Sequence, residues 1–280
     1  MAKILFDIAA AQETADWMQC QLVMEISQRF FSYAVISSDK KLLQLRFYEL
    51  DARNINDVCD ELSGILQTDN LVKAGMRKKT LVYNFPESQL VPENYFTAAA
   101  ATELIELFHG DLNKGITLTE RIQGTTQYNI FRVPAALHSL LQRHFANSKY
   151  WHYYSLLIQL ARKQEPEKEN YLSVIFYPSR MLVAAVKDKQ LQLLQSYNYE
   201  AAEDAGYYLL NICGQLQLSP AHTPVLLSGM IDASSVLYTE IFKYFGQSAM
   251  EDFTGIAHSK ALQDFPPHFF SPLLKLALCV

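Results

Sequence analysis

The sequence predicts an α/β fold of two unequal halves, each built on a mixed five-stranded sheet with helices, and three observations point to it. His152–Ala161 reads HYYSLLIQLA and His268–Ala277 reads HFFSPLLKLA, so nearly the same ten residues occur twice, 116 positions apart. Each half opens on three short β-rich runs, at 22 to 50 and at 172 to 199. Each of these meanders then leads into an amphipathic helix, followed by alternating strand and helix patterns.

The elements follow in order. LVMEISQRFFSYAVISSDKKLLQLRFYEL and LSVIFYPSRMLVAAVKDKQLQLLQSYNY both break at a polar kink and again at a Lys/Asp turn, SSDKK in one and KDK in the other, as consecutive hairpins do. Arg29 matches Arg180, Ala34 matches Ala185 and Val35 matches Val186, at a shift of 151. The first helix carries Ile55, Val58, Leu62, Ile65 and Leu66 on one face; the second carries Ala205, Tyr208, Leu209, Ile212, Cys213 and Leu216. YNIFRVP (128 to 134) then precedes a helix through Leu137, Leu140, Leu141 and Phe145, as PVLLSGM (224 to 230) precedes one through Leu237, Ile241, Phe242 and Phe245. Leu140 and Phe145 match Leu237 and Phe242 at a shift of 97.

In the repeated decapeptide, Ser155 and Ser271 read as N-caps, with Pro272 at the first helical position, where a missing N–H costs nothing. His152 and His268 then fall at a strand-to-helix corner in a packing or hydrogen-bonding role. The fall in shift leaves roughly fifty residues of the first half unmatched. They are assigned to an inserted small subdomain at about 73–123, which holds TLVYNF, the turn-rich PESQLVPEN and a helix through Phe96, Ala100, Leu104, Leu107 and Phe108. The polar run ARKQEPEKEN joins a first lobe, 1–165, to a second, 166–280.

Composition narrows the function classes. The chain has 280 residues, 50% of them hydrophobic, with 16 Phe and 16 Tyr, and is long enough for a sizeable core. A net charge of −5 offers no attraction for nucleic acid or anionic lipid. No apolar run approaches the ~20 residues that span a bilayer, and MAKILFDIAAAQ lacks the apolar core of a signal peptide, so the cytoplasm is the expected compartment. Cys20, Cys59, Cys213 and Cys279 show no CxxC spacing and read as reduced structural thiols rather than metal ligands.

P-loop, HExxH, GxSxG and dinucleotide fingerprints do not occur in the sequence. His109-Gly110-Asp111 reads as a helix-ending turn, YWHYY (150 to 154) as core, and Asp57, Asp60 and Glu61 as the solvated face of their helix.

Two units of three strands, helix, strand, helix, strand, helix, with an insertion in the first, resemble the ribonuclease H-like, actin-like ATPase superfamily, and in layout the bacterial division and pilus-assembly actin homologues. FPESQLVPENYF (85 to 96), FRVPAALHSLLQRHFANSKYWHYYSLL (131 to 157), LLSGMIDASSVLYTEIFKYF (226 to 245) and FFSPLLKLALC (269 to 279) resemble, more closely, an uncharacterised bacterial domain-of-unknown-function family of that fold.

In ATP-using members of the superfamily, the first hairpin of each lobe carries an acid, a spacer and a glycine. The acid helps hold hydrated Mg²⁺ or the attacking water, and the glycine lets backbone N–H groups close on phosphate. Here the first hairpin supplies Glu25-Ile26-Ser27 and the second, at the shift of 151, Phe176-Tyr177-Pro178. Proline has no N–H to offer phosphate. Ser228-Gly229 stands where the superfamily places a glycine pair against adenosine.

The resulting expectation is a non-catalytic binding or scaffold protein with a degenerate nucleotide site, no metal, no cofactor and a protein partner. The alternative is a slow or regulatory Mg-ATP binder that uses Glu25, Ser27, Ser228 and Gly229.

Overall fold

The computed structural model describes residues 2–9, 16–76, 78–111, 115–163, 168–253, 255–256, 262 and 264–279. They form two units: Met1–Lys163 with Ile256–Gln263 and Lys275–Val280, and Gln164–Gly255 with Asp264–Leu274.

In the first unit the meander forms as the hydrophobic alternation and turns require. After β1 (Lys3–Ala9) come β2 (Gln21–Ile26), β3 (Phe30–Ile36) and β4 (Leu42–Glu49). The Ser27 hydroxyl accepts the Arg29 and Phe30 N–H groups at 3.1 Å each, closing the first turn. Lys40, at φ 60°, closes the second. Then α1 (Ile55–Thr68) starts on a capping box: Asn54 Oδ1 accepts from the Asn56 and Asp57 N–H groups, and Asp57 Oδ2 accepts from the Asn54 N–H.

The unit continues through α2 (Asn70–Lys73), β5 (Lys78–Tyr83), β6 (Ser88–Pro92), α3 (Ala101–His109), β7 (Ile116–Arg121), β8 (Gln127–Val133), α4 (Ala135–His144), β9 (Lys149–His152) and α5 (Tyr153–Lys163). The main sheet runs β1-β4-β3-β2-β5-β9, with β5 parallel to β2 and β9, and a small sheet runs β6-β8-β7. Met24, Ile26, Phe31 and Tyr33 pack with Val58 and Leu62 of α1 and with Leu137 and Leu141 of α4 in one core.

The second unit holds β10 (Tyr171–Tyr177), β11 (Arg180–Lys187), β12 (Gln190–Asn198), α6 (Ala202–Leu216), β13 (Val225–Gly229), α7 (Val236–Tyr244) and β14 (Ser248–Met250), and α8 (Ser271–Cys279) begins in it. Its sheet runs β12-β11-β10-β13-β14, the order and sense of β4-β3-β2-β5-β9. Asp188 and Lys189, at φ 53° and 60°, make the two-residue turn whose twist suits a hairpin.

Five sequence expectations are corrected. The first sheet has six strands, not five, because KILFDIA adds to the outer edge of β4. YNIFRVP is β8 of the small sheet, so the counterpart of β13 is β5, TLVYNF, which pairs with β2 as β13 pairs with β10. The helices align at 100 rather than 97: the Phe145 N–H binds Leu141 O as Phe245 binds Ile241, and Ser148 binds Phe145 O as Ser248 binds Phe245. Finally, α5 starts at Tyr153 and α8 at Ser271, which places Ser155 inside the first turn of its helix and Ser271, with Pro272 after it, at the first helical position, instead of at the N-caps.

The meander register is also one residue from the sequence match. Met24 pairs with Tyr33, and Val174 with Val183, so 24 corresponds to 174 and 33 to 183. The Leu50 N–H binds Arg29 O as the Tyr199 N–H binds Ser179 O, which makes Ser179, not Arg180, the counterpart of Arg29. In a strand a one-residue slip exchanges the faces. Phe176 therefore corresponds to Ile26, each in the helix-facing core of its own unit, and the counterpart of Glu25 is Ile175.

Candidate functional site

Strand β2 carries Glu25 on the face opposite Met24 and Ile26 and buries it to 1% exposure. A buried carboxylate needs donors. The chain leaving β5 brings Asn84, whose Nδ2 donates to Glu25 Oε1 at 2.6 Å while its N–H donates to Ile26 O at 2.8 Å. In the second unit the Met230 N–H makes the same backbone bond to Phe176 O at 2.8 Å. There, however, the two side chains are Ile175 and Met230, so the carboxylate and its carboxamide partner are both replaced by apolar groups.

The other three predicted residues are also engaged locally. Ser27 is buried, and its hydroxyl is committed to the β2–β3 turn. Ser228 is buried on β13, paired in register with Ile175. Gly229 has φ +78°, and a Cβ there would lie 2.2 Å from the Phe176 carbonyl oxygen, so backbone crowding alone demands a glycine. Its N–H donates to His268 O at 2.8 Å. Glu25 and Ser27 thus lie in the first unit and Ser228 and Gly229 in the second, each held by its own unit. The helix after Asp232 has its N-terminus capped by Ser235, whose Oγ accepts the Tyr238 N–H at 3.1 Å.

The repeated histidines explain the repeated decapeptide. His152 ends β9 and is fully buried; its Nδ1 lies 3.2 Å from the Tyr154 N–H, which donates to it, and this leaves Nε2–H to donate to Phe85 O at 3.0 Å. His268 lies in a turn before α8, and its Nε2 is 2.7 Å from Ile231 O. Phe85 and Ile231 each lie two residues beyond the central parallel strand, after Tyr83 and Gly229. The same imidazole-to-carbonyl bond therefore pins each strand exit to the start of the following helix.

The serines recur with it. Ser271 Oγ donates to Glu251 Oε2 at 2.8 Å, and Ser155 interacts with Glu120, whose Oε1 also accepts the His152 N–H at 2.8 Å. Burial pushes the Glu120 carboxyl up to about 7, against the pull of Ser155 and the His152 N–H.

Sequence reasoning missed a second polar centre. Asp69, 4% exposed at the end of α1, accepts from Tyr33 Oη at 2.8 Å, Tyr48 Oη at 2.7 Å and Arg46 at 2.9 Å. Burial, then the Asp69 hydrogen bond, raises both tyrosines, Tyr48 to about 12. Hydrogen bonding to Asp7, ahead of other causes, raises Arg46.

Arg46, Tyr48 and Asp69 line a pocket of about 720 Å³ together with Asp51, Asp57, Asp60 and Glu61. Asp57, Asp60 and Glu61, expected as a solvated helix face, are therefore also a pocket wall. With five carboxylates against one guanidinium, its field opposes a phosphate ligand. Arg46, a charge inside an apolar strand, was the one signal available in the sequence.

His109-Gly110 does end α3, with Gly110 at φ 74° and its carbonyl accepting from Arg132 at 2.7 Å. On the same helix Leu107 and Phe108 are 75% and 58% exposed, and Tyr95, earlier in the chain, is 73% exposed. Among the described residues no group of three or more His, Cys, Asp or Glu is placed to hold a metal ion, and no helix is long and apolar enough to cross a membrane.

A family model described as "Protein of unknown function (DUF3822)" matches residues 10–247. A solved structure from Bacteroides thetaiotaomicron, described as having an actin-like ATPase fold and unknown function, superposes with a TM-score of 0.80 at 16% identity, covering 96% of this chain and 100% of that one. The PilM-PilN type IV pilus biogenesis complex gives a TM-score of 0.60 at 12% identity, over 92% of this chain and 97% of that one. The ethanolamine utilization protein EutJ from Carboxydothermus hydrogenoformans gives 0.52 at 7% identity, over 98% and 92%. No curated protein matches.

Proposed function

The chain belongs to the DUF3822 family and has the actin-like ATPase fold, and from that premise we propose that it is a non-catalytic binding or scaffold protein with a degenerate nucleotide site. One observation carries the reading. The carboxylate that would serve Mg²⁺, Glu25, is buried against Asn84, and the second unit replaces that pair together, by Ile175 and Met230. Phosphoryl transfer depends on metal, positioned water and backbone donors acting at once, and an isoleucine side chain at the second carboxylate position holds neither metal nor water.

The partner in this reading is a protein. A neighbour of the same fold is named in a complex, PilM with PilN. Helix α3 offers exposed Leu107 and Phe108 beside Glu103 and Glu106, which suits an apolar segment with basic flanks. The net charge of −5 argues against nucleic acid, and we place the protein in the cytoplasm.

The test is a thermal shift with millimolar Mg-ATP. A ligand at about 100 times its dissociation constant stabilises a fold by about 2.7 kcal/mol, and the expected result is no shift. An upward shift lost in Glu25→Gln would establish the Mg-ATP alternative. Gly229→Val does not serve as the control, because its side chain meets Phe176 whatever binds.

A further inference from the structure

A long, uncharged edge strand templates pairing with another chain, and natural edges resist this by shortness, charge or proline. Among the described residues every sheet edge but one is so protected. β9 and β14 have four and three residues, β6 ends in Pro92, β7 carries exposed Arg121, and β1 carries Lys3 and Asp7. The exception is β12, nine residues reading QLQLLQSYN, the terminal strand of its sheet. In the first unit β1 pairs along the outer edge of the matching strand, β4, from Glu49 to Gln44. No described strand does so for β12.

We propose that β12 pairs antiparallel with β12 of a second copy of this chain, joining two second-unit sheets across a two-fold axis at Gln195. The bulge opposite Ala185 and Val186 leaves Leu193–Asn198 in regular register, and Gln195 is exposed within that stretch. A two-fold axis through Gln195 sets Leu193 opposite Tyr197 of the other copy, an aliphatic–aromatic cross-strand pair. Both residues already pack against their own unit's core, so pairing extends that core.

Charge selects the antiparallel sense and a self-complementary occupant. One end of β12 leads from the Lys187–Lys189 turn, two lysines against one aspartate, and the other leads into exposed Glu200 and Glu203. Antiparallel copies bring the basic end of each over the acidic end of its mate; parallel copies oppose like ends.

Sedimentation of the full chain over roughly 1 to 100 µM tests this. The expected result is a reversible dimer, with hydrogen exchange at 193 to 198 slowing as concentration rises. Gln195→Lys and Gln195→Glu, each placing like charges on the axis, raise the dissociation constant by about tenfold or more at unchanged thermal stability, and mixing the two variants restores the dimer. A wild-type chain that stays monomeric overturns the proposal and leaves β12 to a strand of another protein. A dimer that both variants leave intact, or a mixture that stays monomeric, overturns it as well.

Discussion

Glu25→Ile and Asn84→Met, made singly and together, transplant into the first unit what the second unit already contains. Asn84→Met removes the 2.6 Å bond to the buried carboxylate and should cost about 3 kcal/mol, since a bond to a charged group is worth about 1.5–3 and its desolvated partner remains. Glu25→Ile leaves the buried carboxamide with an unmet donor, about 1–3 kcal/mol. In the double variant neither polar group remains, and the loss should be within about 1.5 kcal/mol. The cycle therefore predicts a coupling near 3 kcal/mol. Urea unfolding followed by fluorescence and circular dichroism reads it as a midpoint change at constant slope. Additive single effects would refute the claim that Asn84 holds Glu25. A gain in stability on Glu25→Ile alone would sink the larger reading, because a carboxylate kept against the fold's stability is the mark of a working site.

Gly229→Ala should lose more than about 2 kcal/mol, from the positive φ and the Phe176 carbonyl together, and an unchanged denaturation midpoint would contradict the crowding described. His152→Phe and His268→Phe keep a ring but leave Phe85 O and Ile231 O without an imidazole donor; each should cost about 1–3 kcal/mol by the same assay, and unequal sensitivity would separate the two corners. Glu120, raised from 4.5 to about 7, holds a proton in the folded chain that the unfolded chain has released. Its contribution to stability is therefore present below pH 4.5 and lost as pH rises through about 7, so Glu120→Gln should flatten the fall in melting temperature between pH 5 and 8.

Much of the architecture was legible because it rests on local periodicity. The faces of α1 and α6 are helical stripes, and Asp188-Lys189 is a turn written in its own residues. What failed was competition between similar strings. TLVYNF and YNIFRVP are both short, apolar and β-rich, and only pairing with β2 makes β5 the central strand. KILFDIA becomes a strand by covering the outer edge of β4, a pairing between distant segments that no local signal carries. The Asp69 centre draws on residues 33, 46, 48 and 69, which no spacing rule connects.

The register shows why a near miss in alignment matters for chemistry. Identities at Arg29 and Arg180, Ala34 and Ala185, and Val35 and Val186 favour a shift of 151, which sets Phe176 in place of Glu25 and makes the loss of the acid look like a bulky intrusion. The pairing at 150 returns Phe176 to the helix-facing core of its own unit, as the counterpart of Ile26, and puts Ile175 at the acid's place, with Met230 at Asn84's. The difference is then a matched exchange of a polar pair for an apolar one at a junction whose backbone bond is the same in both units. Because replacing both partners of a buried hydrogen bond costs less than replacing one, the two polar groups are expected to change together. In the reading proposed above, the carboxylate on β2 is one half of such a pair, held by Asn84, and not the ligand of a metal ion.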